Sequence, residues 1–490
     1  MKCPHCNSED LAVHSKTPPR WACGECGKTT RSPITKNKFE PIKITKKKLV
    51  ITYAQNATPV FKAGLRSLRT YCKENNAQLI VIPGRYKNPT SKWTVDQENA
   101  DWWDEEISGE LCGVRTDVSS SLVICGDVFI QPTAVSPMTG LTTLTGEKSC
   151  IFGHPQISLE ATPTPQNSMA KLCMTTGAIT KPNYTESKAG VKGEFHHEYG
   201  ATLIELRGKK FHTRQLCIDG SGKFYDLDKC YSGETVTSGN EVEAFISGDF
   251  HAKFLDPNVM SAWWSGKNAL VKLIKPKAQV FHDLFDGYFR NHHHRNDPFM
   301  TVKKHFYDED GGQNEIEDLI GKLQQCLIDG KNYIVKSNHD EVIDRWLKEE
   351  DWKKDPKNAE FYLDLALAKV RAIKEGTDFD CLEYLVKETR ATFLRRSDTL
   401  FCKGHALNYH GDKGPNGARG SLAAFNKIGC RSVIGHSHTP GRKWGVIQVG
   451  LSAVYHLEYA TGSPSSWMHT AAIIYANGKG TTINCIDGEY

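Results

Sequence analysis

No stretch of this 490-residue sequence holds eighteen consecutive apolar residues, so no membrane-spanning helix is expected. Its first residues, Met-Lys-Cys-Pro-His-Cys, include no apolar h-region, so no secretory signal is expected. The chain should then stay in the compartment where it is made. Internal repeats and long low-complexity segments are also missing. Charge of one sign is scarce: a net charge of +5 is too small for this length to imply a nucleic-acid partner by itself. What remains is an ordinary globular composition, 39% hydrophobic, long enough for two to four domains.

Cysteine, by contrast, is plentiful, with sixteen residues. Four of them form two Cys-x-x-Cys pairs near the start. The other twelve are scattered from Cys72 to Cys485, mostly inside apolar segments such as Leu122–Cys125. In a long chain without a signal peptide such cysteines stay reduced and buried, so a cytoplasmic location is expected.

The organisation expected from composition is a module over 1–32, a basic linker over 33–47, a mixed domain over 48–240 and an α/β domain over 241–490. Between Lys36 and Lys48 the linker carries six lysines and one acid. A solvated linker is the plain reading of that run, and contact with a polyanion the other. KKLVITYAQN, TPVFKAGLRSLRTYCKENN and AQLIVIPGRY read as strand, amphipathic helix and strand, a β-α-β unit with a parallel crossover. From about 110 to 240 the sequence is strand-rich, as in SLVICGDVFI, GATLIELRG and KKFHTRQLCIDG. Gly126-Asp127 ends one such strand and reads as a turn. Beyond 240, strands alternate with helices, among them NEIEDLIGKLQQCLIDG and 358–374.

Cys3-Pro-His-Cys6 and Cys23-Gly-Glu-Cys26 are separated by sixteen residues. Two such knuckles can present four thiolates tetrahedrally to one structural Zn²⁺, and a module this short needs metal to supply its folding free energy. The segment resembles zinc ribbons at the heads of transposases and other DNA-handling proteins. Such ribbons contact DNA or dock proteins, and the adjoining lysines tilt the reading toward DNA.

Five polar motifs follow apolar runs in the C-terminal half. They are EAFISGDFH with Asp249 and His251, KAQVFHDLFDG with Asp283 and Asp286, and NYIVKSNHDE with Asn338, His339 and Asp340. TLFCKGHALNYHGD offers His410, with His405 as a rival, and RSVIGHSHTPG gives His436 and His438. Each is weak alone. Together, each after a strand, they fit a ligand site beyond the carboxyl ends of an open α/β sheet.

In this order the motifs resemble those of the calcineurin-like metallophosphoesterases, D-x-H, G-D-x-x-D, G-N-H-[DE], H-G and G-H-x-H, over roughly residues 242–485. The resemblance implies a four-layer α/β/β/α sandwich, preceded here by the ribbon and a strand-rich α/β middle domain. It implies one metal on Asp249, His251, Asp283 and His438, with Asp283 bridging to a second on Asn338, His410 and His436. His339 would be the general acid or transition-state stabiliser, its ring oriented by Asp340. Carboxylate, amide and imidazole ligands suit Mn²⁺, with Fe or Zn²⁺ as alternatives. Two such ions can share a hydroxide nucleophile and neutralise phosphoryl charge. His282 and Ser337 stand where the family has glycine.

Asp283-Leu-Phe-Asp286-Gly287 resembles the DNA-repair nuclease branch, whereas phosphoprotein phosphatases carry Arg where Gly287 stands. With the ribbon and basic linker in front, the expected reaction is phosphodiester cleavage in DNA. The plan is also similar to bacteriophage proteins that join such a domain to DNA transfer or host-DNA destruction, which would place it in host cytoplasm. Alternatives are a small-substrate phosphodiesterase or phosphatase, and a DNA-binding or assembly protein with a structural phosphoesterase fold. His292-His293-His294 reads as a solvated loop, with a place in a substrate groove as the rival. Trp263-Trp264 and Trp102-Trp103 read as buried packing or an oligomer contact, with base stacking as the rival. A homo-oligomer is left open.

Overall fold

A computed structural model describes residues 6, 8, 11–16, 19–23, 25–26, 29–30, 39, 41–86, 102–165, 168–294, 296–455, 457 and 460–490. The chain divides into two compact units, Met1–Pro41 and Ile42–Tyr490. In the first, strands Leu11–Lys16, Pro19–Cys23 and Thr29–Thr30 make an antiparallel three-stranded sheet. Cys6 and Cys26 lie in turns, and Cys23 ends the second strand. Cys3 and the side chain of Cys23 lie outside the described residues, so the zinc site stays an expectation.

The second unit is mixed α/β. Its first strand, Lys48–Gln55, is buried along nearly its whole length, which is why it reads as a continuous apolar run. It pairs in parallel with Ala77–Gly84, residue for residue from Lys48↔Ala77 to Gln55↔Gly84. The helix Lys62–Glu74 crosses between them, burying Leu65, Leu68 and Tyr71 at helical spacing. The expected β-α-β unit is therefore present. Gly200–Arg207 and Lys210–Cys217 extend it to a four-stranded sheet.

A six-stranded sheet carries the strands Ala391–Leu394, Lys331–Val335, Ala278–His282, Ala244–Ile246, Thr470–Ile474 and Gly480–Asn484, in that order. The first four are mutually parallel and the last two antiparallel. Its side chains alternate as a strand requires. Phe245, Phe281, Ile334 and Ile473 join the helical core with Leu319, Leu323 and Trp346, whereas Ile246, Val280, Val335 and Ile474 meet Leu407, Val433 and Ile447 of a facing sheet. Two helices of that core matter below: Gly312–Cys326 and Ala359–Glu375. The latter buries Phe361, Leu365 and Ala372 and stops at Gly376, whose φ of 67° is the left-handed conformation of a helix end.

The facing sheet has ten strands and draws on both halves of the chain. Strands 401–402, 405–406, 431–434, 446–448 and 441–443 continue into 159–162, 171–175, 149–152, 122–125 and 115–117. The join is Gly441↔Glu160 and Arg442↔Leu159. Residues 48–240 thus share one sheet, and one compact body, with residues 241–490; the composition change near 240 marks no structural boundary. The edges of the four- and six-stranded sheets also meet. Gln215 Oε1 accepts from Thr482 N at 3.1 Å, Gln215 N donates to Thr481 Oγ1 at 2.9 Å, and Thr213 N donates to Asn484 Oδ1 at 3.2 Å. These bonds satisfy strand edges that would otherwise invite pairing with another chain.

Trp263 and Trp264 are buried in the helical core, where Trp264 Nε1 donates to Gln279 Oε1 at 2.7 Å. Trp103 Nε1 donates to Ala54 O at 3.1 Å. Both pairs include packing residues, as the sequence reading favoured. Gly126-Asp127 is a turn, with Asp127 paired to Arg115. No helix among the described residues is long and apolar enough to cross a membrane.

Candidate metal centre

Three neighbouring parallel strands deliver the first half of the site. Asp249 and His251 follow Ala244–Ile246, Asp283 follows Ala278–His282, and Asn338 and His339 follow Lys331–Val335. All these residues lie past the carboxyl ends of their strands, where backbone groups leave the ladder and side chains can converge. The facing sheet delivers the rest. His410 follows His405–Ala406, and His436 and His438 follow Arg431–Ile434. The loops are zipped together by backbone bonds, Phe250 N to His282 O at 2.8 Å, His251 N to Asp283 O at 2.7 Å and Gly435 N to His410 O at 2.6 Å. His251, Asp283, His436 and His438 have φ of 45°, 48°, 74° and 58°. Left-handed backbone is costly for non-glycine residues and is held by its surroundings; here it marks four of the converging side chains.

Ligand-type atoms of Asp249, His251, Asp283 and His438 lie within 4.8 Å of one another, and so do those of Asp283, His410 and His436. Asp283 belongs to both groups. His251 Nε2 is 3.0 Å from His438 Nε2, and His410 Nε2 is 3.1 Å from Asn338 Oδ1. His410 Nε2 stands 3.3 Å from Asp283 Oδ2, and His438 Nε2 stands 3.4 Å from Asp249 Oδ2. Yet neither oxygen of Asp249 or Asp283 receives a well-aligned hydrogen bond, although both carboxylates are buried. A buried carboxylate without donors is costly unless something positive meets it.

The protonation balance points the same way. Burial pushes the Asp249 carboxyl up to about 7. Burial also opposes charge on Asp283, but His410 and His339 outweigh it and hold that carboxyl well below its usual range. Burial pulls His251 and His410 down, yet the carboxylates around them push both up to about 9. Without a cation the cluster would thus gather protons to offset its own buried charge. These donors, hard oxygens and imidazoles without thiolate, fit a divalent cation.

Asp286, quoted in the second motif but given no role there, fixes His251. Its Oδ1 lies 2.8 Å from His251 Nδ1, and its Oδ2 accepts from Lys253 N at 3.0 Å. An Nδ1–H donated to Asp286 leaves the Nε2 lone pair aimed into the cluster, the usual way a carboxylate orients a ligating imidazole. Replacing Asp286 by Ala is expected to weaken Mn²⁺ binding by about 10- to 100-fold while high Mn²⁺ restores occupancy. Mn²⁺ titration checks it; an unchanged binding curve would remove Asp286 from this role.

Asp340 sits differently from its expected place beside the His339 ring. Its carboxylate accepts from Phe285 N at 3.0 Å and from Ser337 N and Oγ at 2.8 Å each. It therefore ties the Asn338-His339 loop to the loop after Asp283, and Ser337 supplies two of the three bonds, one of them through a hydroxyl that glycine would lack. His339 is half-buried and packs edge-on against His251, ring centroids 4.8 Å apart. His410 rather than His405 joins the cluster; His405 is buried in the strand His405–Ala406 and belongs to neither group of ligand-type atoms. His293 is exposed, and His293 and His294 line a cleft of ≈ 840 Å³ together with His339. Trp467 and Arg396 had no motif to reveal them, and Asp412 and Gly435 stood in quoted motifs without a role. Trp467 packs 4.6 Å from the His438 ring, Arg396 forks onto Asp412 at 2.7 and 2.8 Å, and a side chain at Gly435 would collide with Asp249.

No family model matches the chain. It is similar to a curated protein, Protein A1 of Escherichia phage T5, with 32% identity over 465 residues that cover 91% of this chain and 83% of that one.

Proposed function

We propose that this chain, which belongs to the family of Protein A1 of Escherichia phage T5, is a two-metal-dependent phosphodiesterase, foremost a DNA nuclease acting in the host cytoplasm. The observation that carries the reading is Asp283, shared by two groups of buried acids and imidazoles whose carboxylate oxygens lack donors. We read the facing sheets and their helices as the α/β/β/α sandwich of calcineurin-like metallophosphoesterases, and the N-terminal cysteines as a zinc ribbon that favours DNA over a small diester.

Bound divalent cations, Mn²⁺ foremost, would supply Lewis acidity and a nucleophile at neutral pH. Asp249, His251, Asp283 and His438 would hold one, and Asp283, Asn338, His410 and His436 the other. The protein's own work is then positioning. Asp286 fixes the His251 tautomer, and Asp340 with Ser337 holds the loop that presents His339 to the cleft. From there His339 can give a proton to the departing oxygen or stabilise charge on it. His293 and His294 border the same cleft and can meet the backbone of a long substrate.

The test is direct. The full chain with Mn²⁺ is expected to degrade plasmid and linear DNA, and chelation is expected to stop it. Rapid hydrolysis of a mononucleotide diester with DNA left intact would replace the nuclease by the small-substrate alternative. No hydrolysis of either would overturn the phosphodiesterase.

A further inference from the structure

The outer face of the helix Ala359–Glu375 is apolar where solvent should meet it. Leu363, Leu367, Val370 and Ile373 are 44%, 48%, 49% and 67% exposed, while Phe361, Leu365 and Ala372 already anchor the helix to the core. Leu363, Leu367 and Val370 follow one another at spacings of four and three, the periodicity of a helix–helix seam. Single exposed apolar residues are ordinary, but a stripe on one helix face asks for a partner.

Charge identifies the partner. The exposed acids Glu360 and Asp364 stand in the N-terminal half of the helix, and the exposed bases Arg371 and Lys374 in the C-terminal half. Glu360 precedes Leu367 by seven residues, and Lys374 follows it by seven. Two turns either way bring both back to the face of Leu367. Glu375, the acid of the C-terminal half, is rotated about 100° from Lys374 and lies off the seam. Lys369 is engaged within the chain, 3.8 Å from Asp344, whereas no ion pair of Glu360, Asp364, Arg371 or Lys374 occurs among the described residues.

We propose that this face pairs with the same face of a second copy of the chain, the two helices antiparallel and Leu367 on the twofold axis. In that arrangement Leu367 meets Leu367 of the other copy, Leu363 lies under the stem of Arg371, and Glu360 opposes Lys374 twice, once on each side of the axis. A parallel pairing would set Glu360 against Glu360 and Lys374 against Lys374. An isologous contact of this kind closes on itself and makes a dimer rather than a fibre. The seam is one helix long, about 25 Å, so the interface is small and its dimer concentration-dependent.

The experiment is sedimentation velocity on the full chain from micromolar to about 200 micromolar, well within the range of a small interface. The wild type is expected to shift from monomer toward dimer across that range. Leu367→Asp is expected to stay monomeric while keeping its circular dichroism and its hydrolysis of a small diester. Glu360→Lys and Lys374→Glu, each alone, are expected to weaken the dimer at least tenfold, because each sets like charges against each other on both sides of the axis. The chain carrying both changes restores opposite charges and is expected to dimerise as the wild type does. A monomer throughout the range would overturn the proposal. So would a dimer unmoved by Leu367→Asp, or a double variant no better than the single ones, which would place the contact elsewhere or make it parallel.

Discussion

Asp283→Asn is expected to lower Mn²⁺-dependent phosphodiester hydrolysis by about a thousandfold or more, since it strikes both halves of a unit whose members act together. The side chain keeps its shape but loses the charge that both groups of ligands share. Two consequences separate this loss from unfolding. The carboxylate receives no well-aligned hydrogen bond, so exchanging it for an amide keeps the side chain's shape and weakens only its charge contacts with His410 and His251. The paired imidazoles His251 and His410, held up to about 9 largely by neighbouring carboxylates, should lose part of that support and release protons more easily. Metal analysis of the purified variant is expected to find occupancy of both sites reduced, with an unchanged circular dichroism spectrum. Hydrolysis above a tenth of the wild-type rate would refute the shared role of Asp283.

The second large effect belongs to His339. Its Gln variant is expected to bind metal normally and to lose about 10²- to 10⁴-fold in kcat, the usual worth of a positioned proton donor. KM should move little, because the ring is one of several groups lining the cleft. Two substrates sharpen the outcome. A nitrophenyl diester, whose leaving group needs no proton, should largely escape the loss if His339 is a general acid. Equal losses on the nitrophenyl diester and on DNA would make it a stabiliser of phosphoryl charge instead. A variant that lost metal as well would show His339 to be a ligand, which its proximity to His251 and Asp286 permits geometrically.

Much of the site was legible because of where its residues fall relative to apolar runs. Strands buried on both faces are largely apolar, so Asp249, Asp283 and Asn338 stand out as ligand-type residues within three positions of the ends of apolar runs. The β-α-β unit over 48–84 was readable for the same reason, with a clear helical period in Leu65, Leu68 and Tyr71. Legibility ended where partners are distant in sequence. Nothing local in 159–162 or 441–443, strands of four and three residues, announces that they pair, so the chain looked divided near 240. Asp340 was misplaced because its neighbour Ser337 offers a hydroxyl and competes for the carboxylate. Trp467 and Gly435 act through shape, one by covering His438 and the other by leaving room for Asp249; no motif includes Trp467, and the motif that includes Gly435 does not reveal what it makes room for.

The pairing of 159–162 with 441–443 also sets a timetable. It joins segments roughly 280 residues apart, and the edge strand Gly480–Asn484 that meets the four-stranded sheet comes later still in the sequence. Contacts so far apart form late, after the cost of closing long loops, and make folding slow. A ribosome-bound chain therefore carries all of its ligand residues up to His438 before it has the sheet that holds them in place. The cluster of acids and imidazoles thus assembles after its residues are made, when the join between the two halves of the ten-stranded sheet closes.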